Sequence, residues 1–190
     1  METLLSVLLP GMLGAEISFS LHDFGGKQAL LKRLEGRLTG YASWIGDDYK
    51  IIVVVDEDRE DCTALKSQIC SAIDSAGLSH KSTVVAGVNY QCAVRLAVEE
   101  LEAWIFGDCA ALRAAYARVP AGLETQAAYR DPDRITGGTW EQLERVLKRA
   151  GYFEGGMPKM EVAAAVAPHM DIWRNRSKSF AVFRDLILSL

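Results

Sequence analysis

The chain has 190 residues, 49% of them hydrophobic and 24% charged, with a net charge of −4. That size and balance suit one folded domain and exclude a disordered chain. No apolar run reaches the roughly 20 residues that span a bilayer, so a soluble α/β domain is expected.

The opening Met1-Glu2-Thr3-Leu4-Leu5-Ser6-Val7-Leu8-Leu9-Pro10 carries an acid where a secretory leader carries bases, and predicts an amphipathic first helix. A strand is expected near residues 16–21. Residues 26–34 open a helix with Leu30, Leu31, Leu34 and Leu38 on one face. The β-branched run Ile51-Ile52-Val53-Val54-Val55 is the strongest strand signal and predicts a central parallel strand covered on both faces. After it, Cys62, Leu65, Ile69 and Ile73 keep helical spacing until Gly77, a C-terminal stop. Further strands are expected near 83–88 and 92–98. Helix, strand, helix is the rhythm of an α/β sheet.

The second half turns helical. Thr139-Trp140-Glu141-Gln142 has the pattern of a capping box and opens a helix ending at Gly151. Residues 159–167 form a short helix stopped by Pro168, and Ser179 is expected to cap a last helix whose Phe180, Phe183, Leu186, Ile187 and Leu190 share a face. Residues 1–108 hold 16 acids and 9 bases, a balance of −7; residues 109–190 hold 9 acids and 12 bases, a balance of +3. Either these are solvated helix faces, or a metal-holding half stands beside one that faces phosphates. Cys62, Cys70, Cys92 and Cys109 are far apart with no C-x-x-C pair, which predicts reduced thiols in a cytoplasm and excludes a zinc knuckle.

The chemistry is expected after the central strand, in Asp56-Glu57-Asp58-Arg59-Glu60-Asp61. Ligands of open α/β sheets collect at the carboxyl ends of the strands. If the extended backbone continues, Asp56 and Asp58 point to one side and Glu57 to the other. Two carboxylates about 5 Å apart repel by roughly 3 kcal/mol at an effective dielectric of about 20, which favours either a shared proton or a bound cation. Carboxylate oxygens suit Mg²⁺ or Mn²⁺. The plain alternative is a solvated helix N-terminus, to which Glu60 and Asp61 are assigned. In Glu99-Glu100-Leu101-Glu102, Glu99 or Glu100 is a further candidate ligand, with exposed first-turn acids as the equal alternative. Gly25-Gly26-Lys27-Gln28 lacks the earlier glycine and the Ser or Thr of a phosphate loop and is set aside. Lys159, Arg174, Arg176 and Lys178 are candidate phosphate or nucleic-acid contacts, Arg174-Asn175-Arg176-Ser177-Lys178 being otherwise a charged loop.

Several segments in order resemble a bacterial family known as domain of unknown function 4276. They are Val53-Val54-Val55-Asp56-Glu57-Asp58 with Cys62 and Leu65-Lys66, then Glu99-Glu100-Leu101-Glu102-Ala103-Trp104 with Asp108. Tyr129-Arg130-Asp131-Pro132-Asp133, Gly137-Gly138-Thr139-Trp140, and Asn175-Arg176-Ser177 with Ser179-Phe180 continue the match. That family is similar to TOPRIM domains, the metal-binding α/β module of topoisomerases, DnaG-type primases and OLD-type nucleases. The resemblance implies a TOPRIM-like, Rossmann-like, mostly parallel sheet flanked by helices. A single domain is expected over the chain, with an acidic, sheet-forming core over residues 1–108 and a helical, more basic region over residues 109–190. The chemistry implied is that of a Mg²⁺-dependent nuclease, a hydrolase, with Asp56 and Asp58 as the D-x-D metal ligands and Glu100 as a third acid. The resemblance further implies an AAA- or ABC-type ATPase as a partner in a defence-like gene pair, with nucleic acid as the ligand and a homo-oligomer left open. The alternative is a non-catalytic subunit that docks on such an ATPase. TOPRIM-like chains begin with a strand ending in a catalytic glutamate; here Met1-Glu2-Thr3-Leu4-Leu5 aligns with the family's first helix, so that strand is expected to be missing.

Overall fold

Five consecutive β-branched residues hold the backbone extended from Ile51, because two heavy atoms on each Cβ restrict χ1 and suit a pleated surface. The structure, a computed structural model, describes residues 1–58, 60–84 and 89–190. In it, β1 (Ile51–Asp56) lies parallel to β2 (Cys92–Ala97). Among the described residues these two strands make a mixed helix–strand fold with eight α-helices. Packing divides the chain into a sheet unit, Asp23–Leu96, and a helical unit built from Met1–His22 and Ala97–Leu190.

In the sheet unit, Val53 and Val55 leave β1 on one face and meet Leu34 and Leu38 of α2 (Lys27–Ala42) and Leu65, Ile69 and Ile73 of α3 (Cys62–Ser75). Each fully buried side chain of this kind contributes roughly 1.5–3 kcal/mol. Ile52 and Val54, on the opposite face, are half-buried. The start of α2 follows Gly25 and Gly26, at φ 76° and 120°, where a side chain would be strained. At the start of α3 the Asp61 carboxylate accepts from the backbone N–H groups of Thr63 and Ala64 at 2.7 and 3.0 Å, an N-cap.

Residues 16–21 form no strand, although Ile17, Phe19 and Leu21 alternate with polar neighbours. Alternation favours an extended backbone, but a strand also needs a ladder partner for its N–H and C=O groups, and this segment joins no sheet. Ile17 and Phe19 are left 38% and 40% exposed. The strand expected near 83–88 falls mostly outside the described residues; Thr83 itself closes a turn on the His80 carbonyl.

In the helical unit, α1 (Glu2–Leu13) buries Leu4, Leu5, Leu8, Leu9 and Met12 and packs on α7 (Lys159–Val166) and α8 (Lys178–Ile187). Trp104, on α4 (Glu102–Gly107), is fully buried and stacks on Phe183 at 5.1 Å, with Phe180 edge-on at 5.3 Å. α5 (Cys109–Ala115) follows at once, and α6 (Thr139–Arg149) comes after an irregular stretch. Two expected caps are exchanged for neighbours. Thr139 is the first residue of α6, not its cap, and Ser177 rather than Ser179 caps α8, its hydroxyl oxygen accepting from Phe180 N at 3.1 Å. Ser179 lies two residues further in, where its hydroxyl accepts from Trp104 Nε1 at 2.9 Å and donates to Asp133 Oδ1 at 3.1 Å.

Gly107 lets the end of α4 approach Asn175, whose side-chain amide donates to the Trp104 carbonyl at 2.8 Å and accepts from Ser177 N at 3.0 Å. A β-carbon on Gly107 would overlap the Asn175 amide. Gly107→Ala should therefore lower stability by about 1–3 kcal/mol, read as a fall in the urea midpoint. An unchanged midpoint would show that Asn175 yields at no cost.

Candidate functional site

The turn after β1 places most of the predicted acids. Asp56 is the last residue of the strand and half-buried. The extended path expected through Asp58 is not taken: Asp58 adopts φ 52°, in the left-handed region that Asp tolerates better than most residues. The chain turns there so that α3 can begin at Cys62.

Lys27, at the start of α2, holds this turn. Its ammonium donates to the Glu57 carbonyl at 2.9 Å and lies 2.8 Å from both Asp58 Oδ2 and Glu60 Oε1. The Lys27 side chain is only 9% exposed. Burial works to lower its pKa, but hydrogen bonds and charge attraction from Asp58 and Glu60 outweigh burial and raise it. Glu60, expected among solvated acids, is thus paired. Sequence reasoning missed Lys27 because it tested Gly25-Gly26-Lys27 only against phosphate loops. The usable signal was a lone lysine directly after two glycines that start a helix next to an acidic turn.

Glu57 accepts a hydrogen bond from the Cys62 thiol at 2.8 Å. Burial and the Glu57 carboxylate push that thiol up to about 11, so it stays protonated and is no nucleophile at neutral pH. Like Cys62, the other three cysteines are free.

Glu99 and Glu100 belong to the helical unit. Glu99 is half-buried with φ 60°. Glu100 accepts from Thr139 Oγ1 at 2.9 Å and from Trp140 N at 2.8 Å, and so does the capping work expected of Thr139. Lys159 Nζ lies 3.9 Å from Glu100 Oε1, 3.8 Å from Glu102 Oε1 and 4.6 Å from the centre of the Trp140 ring. Glu102 is 8% exposed; burial, with Glu100 nearby, holds its carboxyl above the ordinary range, while Lys159 opposes the rise.

The basic segment is largely engaged within the chain. Arg174 forms a two-pronged pair with Asp108, at 2.7 and 2.9 Å, and the hydrogen bond to Asp108 raises its already high pKa. Asp108 is buried and also accepts from Ala111 N and Asp171 N. Arg176 donates to the Arg130 carbonyl at 2.9 Å. Lys178 gives its backbone N–H to Asp133 Oδ2 at 2.6 Å, while its side chain is exposed. Among the described residues, no group of three or more His, Cys, Asp or Glu side chains is arranged to hold a metal ion.

Two outcomes test these placements. Arg174→Met leaves the buried Asp108 carboxylate without its half-exposed counter-charge and should cost about 1–3 kcal/mol, measured by chemical denaturation. A loss under about 1 kcal/mol, typical of a surface pair, would refute the structural role.

The second concerns Glu102. A carboxyl whose folded pKa lies above its ordinary value of 4.5 adds stability in full below that value and loses it as pH rises through the folded pKa. Glu102→Gln should therefore raise the melting temperature at about pH 7 and lose this advantage near about pH 4. A pH-independent difference would exclude the titration.

A family described as Domain of unknown function (DUF4276) matches residues 1–190. No curated protein and no solved structure matches the chain. Among the described residues, no helix is long and apolar enough to cross a membrane.

Proposed function

For a chain that belongs to the DUF4276 family, we propose a TOPRIM-like, Mg²⁺-dependent nuclease, working as one subunit of an ATPase–nuclease pair. The observation that carries this reading is the gathering of oxygens around one positive point. The Glu57 carbonyl, Asp58 Oδ2 and Glu60 Oε1 all lie within 2.9 Å of the Lys27 ammonium at the carboxyl end of β1. Magnesium is held by one or two carboxylates with waters and substrate phosphates, so a full cage of side chains is not required. Carboxylates at this strand end also fit the D-x-D of the TOPRIM resemblance.

Asp56 and Asp58 would hold the ion. When bound, it neutralises phosphate charge and lowers the pKa of an attacking water. Lys27 balances the charge of the turn before that, its ammonium competing with the ion for the Asp58 carboxylate. The protonated Cys62 thiol holds Glu57 on the α3 side of the turn.

The same lysine favours a second reading. A turn whose charge is already balanced by Lys27 has less need of a metal, which suits a non-catalytic subunit docking on an ATPase.

Thermal melting with Mg²⁺ or Mn²⁺ separates the two. In a chain of this size each kcal/mol of binding raises the melting temperature by about 2–4 °C. Asp56→Asn with Asp58→Asn should abolish the rise and the Mg²⁺-dependent cleavage of DNA, while Lys27→Met should bring the rise at lower Mg²⁺. A double variant that responds like the parent would remove the metal site from this turn.

A further inference from the structure

The other end of the sheet unit has a different character. Between α2 and β1 the chain carries Trp44 and Tyr49, which are 59% and 48% exposed. The Trp44 ring stands edge-to-face between Tyr41, at 5.8 Å and 67°, and Tyr49, at 5.4 Å and 81°. Cations border two half-buried rings nearby. Arg37 lies 5.2 Å from the centre of Tyr41, and Lys50 and Lys81 lie 5.7 and 5.1 Å from the centre of Tyr90. Lys50 is steadied by Asn89 Oδ1 at 2.8 Å and the Asp47 carbonyl at 3.0 Å. Asp47 and Asp48 are the acids of this stretch, and both are exposed.

Exposed indole and phenol rings contribute nothing to the core formed by Val53, Val55, Leu34 and Ile69. Trp44 and Tyr49, left in water, and the half-buried Tyr41 and Tyr90 with their cations together match the chemistry of a strand with flat bases and a phosphate at every step. Base–aromatic stacking is worth about 1–3 kcal/mol per base and tolerates any base, while lysine and arginine attract the backbone. A protein partner also uses exposed tryptophan, tyrosine and arginine, but lysine is depleted at such interfaces, whereas Lys50 and Lys81 both lie over Tyr90 here.

We propose that Tyr41, Trp44, Tyr49 and Tyr90, with Arg37, Lys50 and Lys81, form a stacking surface for single-stranded nucleic acid. The proposal rests on the phosphodiester reading above and adds the substrate's form. Tyr49 and Tyr90 precede β1 and β2, so this surface is at the amino ends of the strands, and Asp56 is at the carboxyl end of β1. A six-residue strand separates the two ends by about 20 Å. Substrate is gripped on one side of the sheet and acted on at the other.

The test uses a fluorescein-labelled oligothymidylate and a duplex of equal length, in EDTA so that no cleavage intervenes. Anisotropy should show the single strand bound more tightly than the duplex. Trp44→Ala should weaken binding about tenfold with an unchanged melting temperature, and Trp44→Phe should restore most of it. Lys50→Ala with Lys81→Ala should reduce the salt dependence. No binding, equal binding by Trp44→Ala, or preference for the duplex would overturn the surface. So would a homo-oligomer seen by light scattering and dissolved by Trp44→Ala, which assigns the rings to a protein contact. Oligothymidylate binding in a protein without Mg²⁺-dependent cleavage upholds the surface and defeats the nuclease reading alone.

Discussion

Short helices leave a large share of their backbone N–H groups without partners inside the helix, and this chain meets that constraint with carboxylates. Asp61 serves α3, Asp108 serves α5, Glu100 serves α6 and Asp133 serves α8. With only two strands in the described sheet, few ladder bonds share the task of satisfying the backbone. The order of the helical unit depends on Asp108, Glu100 and Asp133 finding helix starts, the last two far away in sequence. Asp133 shows how much one side chain carries: it accepts from the backbone of Lys178 and Ser179 and from the hydroxyls of Ser177 and Ser179.

Cations are placed by the same logic. Lys27, Lys159 and Arg174 each sit against two carboxylates or one buried carboxylate, and so spend their charge inside the fold. Arg37, Lys50 and Lys81 instead lie over aromatic rings. At Lys27, Lys159 and Arg174 charge is neutralised locally, pair by pair.

What could be read from sequence was what local pattern determines. The β-branched run gave β1, the spacing of Cys62, Leu65, Ile69 and Ile73 gave α3, and Phe180, Phe183, Leu186 and Ile187 gave the buried face of α8. The misses share one cause, a partner distant in the chain. Residues 16–21 have a strand's alternation but no ladder to join, and Thr139 has a cap's sequence but yields the role to Glu100. At the candidate site, the acids of the turn were evident from their number, while Lys27 was hidden 30 residues upstream of Glu57. Family membership over residues 1–190 agrees with the ordered segments that suggested it.

The helical unit is discontinuous: α1 comes before the sheet unit, and its packing partners α7 and α8 come after it. During synthesis α1 leaves the ribosome long before the surfaces it needs, so Leu4, Leu5, Leu8, Leu9 and Met12 stay open to solvent meanwhile. Residues 23–96 form local contacts and can collapse first, whereas closing the helical unit joins segments of high sequence separation, which slows folding. An apolar helix waiting on a nascent chain is a binding site for chaperones and a starting point for aggregation. The helical unit therefore cannot close until its last helices have been made.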